Sequence, residues 1–125
     1  MATQPNGEND MPTNAKITDG IDASEVLDTL EIKKVQRRTI AGGAWVVGTI
    51  AGHRFDALVF PEPAENRDWE VGGDSRISKL WVQRISDQTQ VYNWDRGAHV
   101  EPTTEMAAVI VNLLAAGLAE HIWNA

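Results

Sequence analysis

The chain has no cysteine, which removes disulfides, thiolate nucleophiles and cysteine-held zinc or iron–sulfur centres from consideration. Its first 30 residues lack a basic start followed by an apolar run, so they do not read as a secretory signal. The longest apolar run, AAVIVNLLAAGLA, is broken by Asn112 and is short for a bilayer span. Together these features read as a cytoplasmic protein with no membrane segment. Neither glycine pair, at 42–43 or 72–73, is followed by the lysine of a phosphate-binding loop. No serine sits in a G-x-S-x-G setting, the signature of one large class of hydrolases. With no motif for a bound group, no cofactor is expected.

An excess of charge on the body of the chain is also missing. The formal charge is −7, but residues 1–31 hold seven acids against one base, while the remainder holds eleven acids and ten bases. The leader thus carries −6 and the body −1. A nearly neutral body argues against nucleic acid as a partner, because phosphate binding calls for a dominant basic face. Residues 1–22 are expected to be a disordered acidic leader, since their polar composition offers little to bury against the entropy of ordering. Residues 23–125 are expected to be one domain, as their length allows.

What the chain does have is tryptophan: five, against two phenylalanines and one tyrosine. Asp22 and Glu25 stand in capping-box spacing and predict a short helix from about Ala23. AWVVGTI and RFDALVF read as a β-hairpin. A three-residue loop from Ala51 to His53 puts Trp45, Val47 and Thr49 on one face with Phe55, Ala57 and Val59, giving a cleaner apolar face than a two-residue loop. The proline- and glycine-rich residues 61–76 predict a long surface loop with a brief strand at 69–71. RISKLWVQRI and QVYNW predict a second hairpin, with Trp81 opposite Trp94 and Gln83 opposite Tyr92.

TTEMAAVIVNLLAAGLAEHIW predicts a helix, with Thr103 as N-cap and Glu105 in the first turn. Its apolar positions run so far around the circumference that one sheet face is not expected to cover them. Val111, Leu114, Leu118 and Ile122 are therefore the expected seam of a homodimer. The fold class predicted is α+β: a twisted antiparallel sheet of two hairpins, four or five strands, with the C-terminal helix packed on one face.

The candidate binding group is Trp69, Trp81, Tyr92 and Trp94, with Asp95 and Arg96 as rim residues, because indole anchors and flanking charges recur at protein interfaces. Core packing is the competing explanation for the aromatic members. His53, His99 and His121 have no metal-ligand spacing, so no metal site is expected. A carboxylate pair acting as acid and base is assembled by a fold and has no sequence signature; a small hydrolase or ligand-binding enzyme using the 61–76 loop is thus an alternative. Lys33, Lys34, Arg37 and Arg38 are the one concentrated basic group, and a nucleic-acid-associated regulator is the third reading.

RFDALVF, GGDSRISKLWV and VYNWDRG resemble small uncharacterised proteins carried by bacteria, phages and mobile elements. The resemblance covers residues 44–97, with SRISKLWV its best string, and carries no functional residues over. It implies a phage or mobile-element accessory protein acting on a host complex. The function expected is binding of a partner protein without catalysis.

Overall fold

The computed structural model describes residues 21–123, so the leader lies, except for Ile21 and Asp22, outside the described residues. The described chain begins with helix α1, Ala23–Asp28, whose N-cap is Asp22: its carboxylate accepts from the Ser24 and Glu25 amides. Six strands follow: β1 Glu31–Arg37, β2 Ala44–Ile50, β3 His53–Val59, β4 Ile77–Arg84, β5 Thr89–Asp95 and β6 Ala98–Val100. They form one antiparallel sheet in the order β1-β2-β3-β4-β5-β6. Helix α2, Glu105–Trp123, closes the chain. The α+β class and the helix on one face are as expected; the strand count is higher, because β1 and the short β6 add an edge on each side of the two hairpins.

The β2–β3 hairpin has the other register. Ile50 pairs with His53 and Trp45 with Leu58, leaving a two-residue turn of Ala51 and Gly52, both at positive φ (50° and 75°). Two positive-φ residues give the turn whose twist matches that of the strands. One face then carries Ala44, Val46, Gly48 and Ile50 with His53, Phe55, Ala57 and Val59, and the other carries Trp45, Val47 and Thr49 with Arg54, Asp56 and Leu58. The pattern looks mixed in sequence because Gly48 supplies no apolar side chain. Its place is filled from across the sheet: a Cβ on Gly48 would lie 2.8 Å from the Phe55 ring and 2.5 Å from the Glu31 carbonyl.

The β4–β5 hairpin departs from the expected register for a different reason. Gln83 pairs with Gln90 but Val82 pairs with Tyr92, so Val91 is an extra residue, a β-bulge. Past the bulge the alternation is reversed. Trp94 pairs with Leu80, and Trp81 with Asn93, so the two indoles lie on opposite faces instead of meeting. In place of a strand at 69–71 the long loop contains two 3-10 turns, Arg67–Trp69 and Val71–Gly73. Asn66 caps the first through a side-chain bond from the Asp68 amide.

The α2 N-cap is Thr104, whose hydroxyl accepts from the Ala107 amide at 2.9 Å, one residue later than expected. The core lies between α2 and the sheet: Val46, Ile50, Phe55, Leu80, Val82 and Val91 pack with Ile110, Leu114 and Leu118. This corrects the expected dimer seam. Val111, Leu114, Leu118 and Ile122 are 7, 1, 2 and 9% exposed within the single chain. The sheet face and α1, which adds Val26 to the same core, together cover the broad apolar surface. At 19 residues, α2 is long and apolar enough to cross a membrane by length and composition alone. Its burial against the sheet is also what a core helix of that composition shows.

Candidate functional site

Every strand alternates its side chains between two faces, and α2 occupies one of them. On the other, the register aligns Gln36, Trp45, Leu58, Lys79 and Asp95 in one row and Lys34, Val47, Asp56, Trp81 and Asn93 in the next. Among the described residues no helix or strand packs over these rows. Trp45 is 37% exposed, whereas Leu58 is only 3% exposed and yet stands outside the helix-side core. Trp81 is half-buried, and its indole N–H donates to the Gln90 side-chain carbonyl at 3.1 Å. Trp45 and Trp81 border a shallow groove of about 440 Å³ lined by residues of β2 to β5. Ion pairs flank it, Arg54 with Asp56 at 3.2 Å and Lys79 with Asp95 at 3.5 Å.

The six sequence-predicted binding residues are thus divided. Trp81 and Asp95 belong to the open face. Tyr92 is buried beneath α2, and burial together with the charge of Glu101 pushes its hydroxyl up to about 12. A phenol so placed stays neutral at physiological pH. Trp94 is half-buried on the helix side, where its N–H donates to the Trp69 carbonyl at 2.9 Å and its ring lies 5.0 Å from that of His99. Trp69 and Arg96 meet at the end of the sheet, the guanidinium 5.0 Å from the ring centroid. Sequence reasoning missed Trp45 and Leu58, and the signal was available: Ala51-Gly52 read as a two-residue turn sends both outward.

A second concavity, a cleft of about 500 Å³, opens where the 61–76 loop folds against the sheet end. The loop is braced from within by Glu70, 2% exposed, whose two carboxylate oxygens accept from the backbone amides of Ala64 and Arg76. Arg76 donates to the Pro61 carbonyl at 2.7 Å and Arg67 to the Gly73 carbonyl at 2.8 Å. The cleft's buried carboxylate is therefore committed to holding backbone. A long loop held by its own polar bonds is a preformed wall, the kind of segment that is often functional.

The basic group on β1 does not form one patch. Lys33 pairs with Glu31 at 2.6 Å. Arg37 lies 5.1 Å from the Trp123 ring on the helix side, whereas Arg38 lies 5.7 Å from the Phe60 ring and donates to the Gly42 carbonyl at 2.6 Å. The histidines are equally dispersed. His53 is buried in the β2–β3 turn, its Nδ1 donating to the Ala51 carbonyl at 2.8 Å. The Glu101 carboxylate, 2.7 Å from Nε2 of His99, raises the pKa of that exposed ring, with the Gly97 carbonyl adding to the effect. Among the described residues no three His, Asp or Glu side chains converge as metal ligands.

These features define a small α+β domain, a meandering sheet with one helical layer and one open face. The chain belongs to the family described as a domain of unknown function (DUF7678), which it matches over residues 44–119, from β2 to near the end of α2. The match agrees with the resemblance to uncharacterised small proteins, and it leaves α1 and β1 outside. No curated protein matches the chain, and no solved structure does.

Proposed function

We propose that this domain is a non-catalytic binding module whose open sheet face receives a partner protein. The observation that carries the reading is Trp45 and Trp81 standing with Val47 on a sheet face that no described helix or strand covers. Partly exposed indoles on a rigid sheet lose little entropy on binding and are typical anchors of protein interfaces. Charge selects the class of partner: Lys34, Arg54 and Lys79 are balanced by Glu31, Asp56 and Asp95 on the same face. Such a surface exerts no net pull on a phosphate backbone and suits a protein surface with an apolar centre and a polar rim.

Size adds a constraint. Five strands of seven or eight residues and a sixth of three, about 4.8 Å apart, present roughly 600 Å², less than the ~800 Å² per partner of a standard interface. The partner therefore reaches past the sheet onto an edge or the 61–76 loop. A cytoplasmic setting and an origin in a phage or mobile element, with a host complex as the target, complete the proposal; the origin rests on the resemblance over residues 44–97.

Purified wild type and a Trp45→Ser, Trp81→Ser double variant, each shown to be folded by circular dichroism, would be used in parallel to capture partners from the native host. A protein retained by the wild type and lost by the variant is the expected result. Equal retention by both, or retention of nothing, contradicts the proposal.

A further inference from the structure

The cleft beneath the 61–76 loop has features the open face does not explain. Arg38 and Arg96 both line it, each backed by an aromatic ring, Phe60 and Trp69 respectively. Among the described residues neither guanidinium forms an ion pair, although Lys79 and Arg76 of the same cleft do. Stacking uses the face of a guanidinium; Arg38 also spends Nε on the Gly42 carbonyl and one Nη on the Ala41 carbonyl, which fixes its plane and leaves its remaining N–H donors, with those of Arg96, for a planar or tetrahedral oxyanion.

Backbone strain points to the same place. Among the described residues five non-glycine residues have positive φ, and three of them line this cleft: Ala41 at 71°, Arg76 at 61° and Arg96 at 52°. Arg96 and Gly97 form the two-residue turn between β5 and β6, since Asp95 pairs with Ala98. Asparagine, aspartate or glycine is the residue best suited to the first position of such a turn. An arginine there is conformationally disfavoured, and strain of this kind concentrates at ligand sites.

We propose that this cleft binds a small molecule through an oxyanion, a carboxylate or a phosphate, held by Arg38, Lys79 and Arg96. Leu58 and Phe60 offer apolar contact to the rest of the ligand, and the volume of about 500 Å³ is that of a small-metabolite site. Glu62 and Glu65 also line the cleft. Their charge disfavours a ligand with several anionic groups, and their oxygens can accept from hydroxyl or ammonium groups at its other end. Leu58 and Lys79 are shared with the open face, but Arg38 and Arg96 are not, so either reading can fail without the other.

The test follows backbone amide and arginine Nε–H signals by NMR at constant ionic strength, with inorganic phosphate, glycerol 3-phosphate and glutamate as separate probes. Saturable shifts at Arg38, Arg96 and the Trp69 indole are expected with at least one of them; response to the two phosphates or to glutamate distinguishes phosphate from carboxylate. Arg96→Asn removes the stacked cation and places in the turn a residue that accepts positive φ. It should melt no lower than a few degrees below wild type and bind at least about tenfold more weakly, the loss of one charge-assisted hydrogen bond. Arg84→Gln, at the far end of β4 and outside both concavities, should bind as wild type does. Absence of saturation by all three probes up to roughly 20 mM, where any Kd in the useful metabolite range would show, overturns the proposal. So does binding that survives in a folded Arg96→Asn variant.

Discussion

Replacing Glu70 with glutamine tests whether the 61–76 loop is a built wall. The carboxylate is 2% exposed, and its two oxygens accept from the Ala64 and Arg76 amides, with the Arg76 bond at 3.1 Å. Glutamine has nearly the same shape but only one acceptor, and its NH2 must face one of those two N–H groups. The variant thus leaves a buried donor unpaired and weakens the other bond by removing its charge, a combined cost of about 2–3 kcal/mol. If the loop melts with the sheet, the melting temperature falls by roughly 4–8 °C for each kcal/mol, or about 10–20 °C. If the loop opens separately, the loss appears as faster hydrogen exchange at the Ala64 and Arg76 amides. Calorimetry and amide exchange on the same samples read both. A glutamine variant melting with the wild type, and exchanging those two amides no faster, would refute the brace.

Two further expectations follow from the packing and the charges. Leu118→Ala should cost about 2–5 kcal/mol, as truncation in a core does, and its melting temperature should not depend on protein concentration; concentration dependence would restore the dimer seam. The His99 pKa lies above the usual 6.5, chiefly through its hydrogen bond to Glu101, so the pair's stabilisation is complete below about pH 6.5 and is lost as pH rises through the folded value. An imidazole titration by NMR should show that raised midpoint and its fall in Glu101→Gln; an ordinary midpoint in the wild type would remove the pair.

The helix, the two hairpins and the long loop were legible because each rests on local chemistry: an apolar stripe, alternating strands, and clustered proline and glycine. The faces of the sheet were less so. Gly48 makes an inward position look empty, and the Phe55 ring that fills it comes from the neighbouring strand. Val91 shifts the alternation by one residue, and nothing in QVYNW distinguishes a bulged strand from a regular one. Those two features moved Trp45 outward and Trp94 inward, which is why Trp81 was placed on a contact surface with the wrong indole beside it. The cleft was hidden more deeply, since Arg38, Lys79 and Arg96 come from three separate stretches of the sequence that only the folded sheet and the Glu70 brace bring together.

The central claim, an open aromatic face on the isolated chain, can be read without disturbing the fold. Incorporating 5-fluorotryptophan gives one fluorine signal per indole, assigned by single Trp→Phe replacements, and a neutral gadolinium chelate broadens the signals of those it can approach. At low protein concentration the Trp45 and Trp81 signals should both broaden, and both should be protected when the partner is bound. If both are already protected in the isolated, monomeric chain, the face is covered and the account is wrong.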